Sequence, residues 1–124
     1  MAFLRKRVRS FKPAIDGWLY VLRSQQNAWI HAAISVIAIG LSLWLDIKAI
    51  EWAIILLTMG MVWMAEFLNT ALEAIVDLAS PETHPLAKIG KDIGAAAVLI
   101  SALTALLVGL IIFTPHIIDR LGLG

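Results

Sequence analysis

The stretch IGAAAVLISALTALLVGLIIFTPHII, residues 93–118, runs for 26 residues without an Asp, Glu, Lys or Arg. A helix needs about 20 mostly apolar residues to cross about 30 Å of hydrocarbon, so this run is long enough alone. Working outward, Ser24–Leu45 is a second uncharged run, of 22 residues, and Trp52–Ala65 a third, of 14. The third reaches spanning length only by continuing through Glu66 to Leu72, which puts polar residues at its far end. The whole chain agrees: 60% of its 124 residues are apolar, 15% are charged, and mean hydropathy is +0.88. A soluble domain is roughly 45–50% apolar and about 25% charged, and one this short buries only about 60–70% of its surface. The excess needs a bilayer. A net charge of +1 gives no bulk attraction to nucleic acid, and the absence of cysteine excludes disulfides, thiolate metal sites and cysteine nucleophiles.

These runs predict an all-α membrane protein, a single domain over residues 1–124, with spans near residues 28–45, 52–72 and 93–113. The first run is too long for a signal-peptide core and lacks a small-residue cleavage site. Orientation follows from Lys and Arg. Arg5, Lys6, Arg7, Arg9, Lys12 and Arg23 precede the first span, and Lys88 and Lys91 lie in the second connection, read as Ser80–Asp92. Only Lys48 and Arg120 fall on the other side, so the N-terminus is expected in the cytoplasm. Trp29, Trp44 and Trp52 stand near span ends, as interfacial aromatics do. Val8, Phe11, Ile15, Trp18, Leu19 and Leu22 recur at three- and four-residue steps, with Arg9, Lys12, Asp16 and Arg23 between them. That pattern predicts an amphipathic surface helix over about residues 5–23, with Pro13 and Gly17 as places for a kink.

The chemistry concentrates in EFLNTALEAIVD, residues 66–77. Glu66, Asn69, Glu73 and Asp77 are spaced +3, +4 and +4, one stripe about 80° wide on a helix. A helix entering at Trp52 places Glu73 and Asp77 at or beyond the cytoplasmic interface and Glu66 roughly 8 Å inside it. Interhelical hydrogen-bond glue, typically about 0.6 kcal/mol, is the bland account of Glu66 and Asn69, and Asn69 alone would not decide against it. Two glutamates on one stripe point instead to function, one carboxylate holding a metal and another handling a proton. Lys88, Lys91 and Asp92 precede Gly94-Ala95-Ala96-Ala97, where a helix N-terminus plus Lys would suit phosphate and Asp92 would cap the helix. Flanking positive charge explains Lys88 equally well. The Gly-Ala run permits close helix packing, including against another copy of the chain. Carboxylates holding Mg²⁺ with phosphate oxygens, beside lysine, suit phosphoryl transfer. Neither a Walker A pattern nor a protein-kinase glycine loop occurs.

Glu66-x-x-Asn69-Thr70-Ala71-x-Glu73-x-x-x-Asp77, followed by Ala87-Lys88-Ile89-Gly90-Lys91-Asp92-x-Gly94-Ala95-Ala96-Ala97-Val98, resembles the small bacterial diacylglycerol kinase/undecaprenol kinase family. The resemblance extends to Ser10-Phe11-x-x-Ala14-x-x-Gly17 and Asn27-x-x-Ile30-His31. It implies a homotrimeric inner-membrane enzyme that phosphorylates a lipid alcohol with MgATP at sites between subunits. It also implies Glu66 as general base, Glu73 as metal ligand, Asn69 as supporting polar residue, Lys91 and Asp92 as nucleotide contacts with Asp77 nearby, and Arg9 as a basic contact towards the lipid headgroup. One departure stands out. The family usually has a Glu six residues before His31, sharing the metal with Glu73, whereas this chain has Gln25. The amide keeps an oxygen for metal or nucleotide but gives up a charge, so weaker metal or ATP affinity is expected, unless Asp16 compensates. Asn27-x-x-Ile30-His31 and His84-Pro85-Leu86-Ala87-Lys88 look more like the undecaprenol branch. The rivals are a cation-conducting oligomer, a catalytically impaired member and a non-enzymatic adaptor. Conduction would need polar residues above Glu66, where span two offers only Thr58.

Overall fold

The structure is a computed structural model and describes residues 2–123, with side chains from residue 9 onward. Arg5, Lys6, Arg7 and Val8 therefore lie outside the described side chains. Among the described residues the fold is all-helical: α1 (Ala2–Ser24), α2 (Gln26–Leu45), α3 (Ala49–Ala79) and α4 (Pro85–Leu121). The last three are each long and apolar enough to cross a membrane. α1 is one continuous helix with Pro13 inside it.

The connections are tight, and local chemistry explains each. Asp46 ends α2 in the left-handed region at φ 52°. Its N–H reaches the Leu43 carbonyl and the Ile47 N–H reaches that of Ser42, which closes the helix within two residues. α3 starts at once, with the Glu51 carboxylate accepting the Lys48 N–H at 2.7 Å. α4 starts earlier than the sequence suggests. His84 is its N-cap, Nδ1 accepting the Leu86 N–H at 3.1 Å, and Pro85 fills the first turn, where a missing N–H costs nothing. The link from α3 is thus Ser80–His84 rather than Ser80–Asp92.

The buried apolar cluster sits at the end of the bundle where α2 turns into α3. Leu45, Ile47, Ile55, Ile112 and Phe113 form it, with Trp52, Met59, Val108 and Ile117 against them. At the same end His116 Nε2 approaches Glu51 Oε2 at 3.0 Å, joining the start of α3 to the end of α4. Few large side chains are buried at the opposite end, where polar residues gather. There Trp18 of α1 packs on Trp63 and Phe67 of α3, with ring centroids 4.9 and 5.1 Å apart. Hydroxyls inside the long helices bond back to their own turn: Ser42 to the Ala38 carbonyl, Thr70 to that of Glu66 and Ser101 to that of Ala97.

Candidate active site

Glu66 is the most buried ionisable residue described, only 2% exposed. It faces inward because the polar stripe of α3 turns towards α2 and α4, leaving Leu68 and Ile75 exposed. Its Oε2 lies 3.6 Å from Nε2 of His31 on α2, beyond hydrogen-bond reach. Neither atom has a hydrogen-bond partner, and both are shut off from solvent. The edge of the His31 ring faces Trp63, centroids 6.4 Å apart, and Trp63 Nε1 donates to Ser35 Oγ at 3.1 Å. His31 and Glu66 line a cleft of about 290 Å³ with Gln25, Asn69 and Glu73, closed on the α4 side by small residues such as Ala95 and Ala102.

Glu73 lies two turns further along α3, about 10 Å along the axis. Both its oxygens are held: Gln25 Nε2 donates to Oε2 at 3.1 Å and Asn69 Nδ2 to Oε1 at 3.2 Å. Gln25 reaches it because the single residue between α1 and α2 is extended, at φ −115° and ψ 115°. Asn69 is 9% exposed, and its Oδ1 has no partner. It packs onto Gly94 so closely that a Cβ there would stand 2.2 Å from that oxygen. Any side chain at this crossing of α3 and α4 would have to displace Asn69.

Asp77, Lys91 and Asp92 line a second cleft, of about 310 Å³, with the Ser80–His84 link as its rim. Lys91 Nζ donates to Asp77 Oδ1, and Lys88 Nζ to Asp92 Oδ2 at 2.5 Å. All four are at least partly exposed, so these pairs contribute little to stability and their charges are available to a ligand. Two sequence expectations are corrected here. Asp92 does not cap α4, because the helix begins seven residues earlier and Asp92 pairs within it with Lys88. For the same reason the N–H groups of residues 93–97 are internal to the helix, so no helix N-terminus faces phosphate there.

The structure thus gathers Gln25, Glu66, Asn69 and Glu73 in one cleft and Asp77, Lys91 and Asp92 in another. Arg9 is exposed on α1 and lines neither. His31 carried a signal that sequence reasoning left unused: it is the lone titratable residue of α2, and such residues inside a span mark function. Among the described residues no group of three or more His, Cys, Asp or Glu could cage a metal. The donor set still fits Mg²⁺. That ion takes oxygen ligands, keeps its waters and binds through one or two carboxylates plus substrate phosphates. The Glu73 carboxylate supplies the charge, and the Gln25 amide that donates to it carries a further oxygen donor.

Residues 12–113 match the model of the prokaryotic diacylglycerol kinase family. The chain is 37% identical over 114 residues to undecaprenol kinase of Bacillus subtilis, covering 92% of this chain and 93% of that one. It is 40% identical over 111 residues to diacylglycerol kinase of Synechocystis, covering 89% of this chain but 63% of that longer one. It is 33% identical over 104 residues to diacylglycerol kinase of Escherichia coli, covering 78% and 85%. With a match over most of its length to a family of lipid kinases, the chain belongs to the prokaryotic diacylglycerol kinase family.

Proposed function

We propose that the protein transfers the γ-phosphoryl group of MgATP to the hydroxyl of a membrane lipid alcohol, undecaprenol before diacylglycerol, at the cytoplasmic interface of the bacterial inner membrane. The observation that carries this reading is a buried, unpartnered carboxylate oxygen on Glu66, a residue that lines the same cleft as the Glu73 cluster. A carboxylate without a donor is ready to accept a proton, and a lipid hydroxyl is the proton source that a membrane offers at that depth. Glu66 takes the hydroxyl proton as the oxygen attacks the γ-phosphorus. Asn69 and Gln25 orient the Glu73 carboxylate. Mg²⁺ bound there with the phosphates would neutralise the charge that develops on them. Asp77, Lys91 and Asp92 sit where a nucleotide coming from water meets the chain first, and Lys91 released from Asp77 has a charge to offer phosphate.

The same reading makes the assembly a homotrimer with the N-terminus in the cytoplasm. α1 keeps Phe11, Ile15 and Trp18 exposed, which suits a helix lying in the headgroup layer, with Arg9 towards lipid phosphate. A conducting oligomer is disfavoured, because Thr58, the polar residue above Glu66, spends its hydroxyl on the Ile54 carbonyl at 2.7 Å. The test offers purified protein radiolabelled ATP with undecaprenol and diacylglycerol side by side. Label is expected in the lipid. Glu66→Gln should cut transfer by about 100-fold or more while ATP binding survives. Retained transfer in that variant removes Glu66 as the base.

A further inference from the structure

Both oxygens of Glu73 accept from neutral donors: Gln25 Nε2 reaches Oε2 at 3.1 Å and Asn69 Nδ2 reaches Oε1 at 3.2 Å. An amide turned the other way would set its own oxygen against the carboxylate, and two acceptors repel, so the N–H groups face Glu73. Neither donor is loosely placed. Gln25 is the single residue between α1 and α2. Its N–H donates to the Val21 carbonyl at 3.0 Å and its carbonyl accepts from the Ala28 N–H at 3.2 Å, which fixes its backbone on both sides. Asn69 is wedged against Gly94. The cleft has one other anionic lining residue, Glu66, about 10 Å away along α3.

A bare cation entering this cleft meets a single carboxylate whose charge is already shared between two N–H donors. Mg²⁺ gives up its water reluctantly and is held through one or two carboxylates together with phosphate oxygens. A lone carboxylate competes poorly with water for such an ion, whereas a nucleotide brings further charges and oxygen ligands of its own. We infer that Gln25 stands in for a resident cation: its N–H takes, at Glu73, the place of an ion, so the cleft admits a divalent ion only in company with a nucleotide polyphosphate. Each carboxylate oxygen keeps a second lone pair, and Gln25 and Asn69 aim those pairs at the ion that the phosphates carry in. Gln25 is thus a positioning residue. The inference rests on the lipid-kinase reading for its nucleotide, but it is a statement about binding and involves no transfer.

Equilibrium dialysis of the full chain in phosphatidylcholine nanodiscs tests this, with empty discs as the blank. Mn²⁺ is the probe, because it suits the same oxygen ligands as Mg²⁺ and can be counted directly. The reference is a Mn²⁺ concentration that leaves about one ion on each chain when the non-hydrolysable analogue AMPPNP is present. At that concentration Mn²⁺ alone should be retained about tenfold less. Glu73→Gln should lose the nucleotide-dependent ion by a similar factor. Gln25→Glu, which sets two carboxylates face to face, should hold Mn²⁺ without nucleotide about tenfold better than wild type. Three results overturn the inference: Mn²⁺ alone retained as well as with AMPPNP, no retention in either case, or retention with AMPPNP that survives Glu73→Gln. So does a Gln25→Glu protein, folded by its helical circular dichroism, that holds Mn²⁺ alone no better than wild type. Nucleotide-dependent retention in a protein that labels no lipid upholds the inference and removes the kinase reading. Labelled lipid from a protein that holds Mn²⁺ equally well without nucleotide does the reverse.

Discussion

Gln25 is the residue at which this chain departs from the family pattern, and its geometry says what the departure does. Its amide donates to a Glu73 oxygen at 3.1 Å, so the pair carries one negative charge where two carboxylates would carry two. A second carboxylate at that distance would repel the first until a cation or proton bound between them. Gln25→Glu should therefore tighten Mg²⁺-dependent ATP binding severalfold and make it steeper in Mg²⁺, as read by ATP titration at fixed metal concentrations. Unchanged binding would mean that the metal is held away from Glu73. Gln25 was paired with Glu73 only by the resemblance to the family, whereas the step from Asn69 to Glu73 was open to sequence reasoning, because +4 on one helix is countable. The meeting of His31 with Glu66 was not, because it depends on how α2 rotates against α3, and nearest-neighbour spacing along one helix carries no information about that.

At the scale of elements, the crossing of α3 and α4 sets the site. Asn69 Oδ1 occupies the place a Gly94 side chain would need. Gly94→Ala must push Asn69 or the helix aside, a kind of overpacking that costs about 1–3 kcal/mol. It should lower the thermal midpoint in detergent and also depress phosphoryl transfer, because Asn69 orients Glu73. Gly90→Ala is the control: there the new Cβ would stand 3.8 Å from Val76 Cγ2, an ordinary contact, and little should change. A variant Gly94→Ala with normal melting and normal transfer would remove Asn69 from its orienting role. The uncharged runs made α2 and the centre of α4 legible. The start of α4 was misjudged because Lys88, Lys91 and Asp92 read as a polar connection, whereas His84 and Pro85 had already started the helix.

For the whole molecule, the apolar surface left uncovered is the main fact. Along α3 and α4, Met61, Met64, Leu68, Leu72 and Ile93 line a groove of about 520 Å³ with small residues such as Gly94 and Ala97 at its base. Lipid tails or a neighbouring copy must fill it. The trimer reading predicts particles of three 13.6 kDa chains in mild detergent, by native mass spectrometry or light scattering. Particles of one chain that still phosphorylate lipid would reject it. Composition showed that a bilayer was needed, but which faces meet lipid and which meet protein is invisible to hydropathy, since both are apolar. The lengths of the two central helices carry one last consequence. α3 has 31 residues and α4 has 37, so they extend about 46 and 55 Å against roughly 30 Å of hydrocarbon. They cannot be swallowed whole, and the surplus must stand out of the membrane as a stalk. From Glu66 to Asp77 is about 16 Å of α3. On the proposed function that segment would be a ruler laid across the boundary, meeting a molecule dissolved in the cytosol at one end and a molecule that never leaves the bilayer at the other.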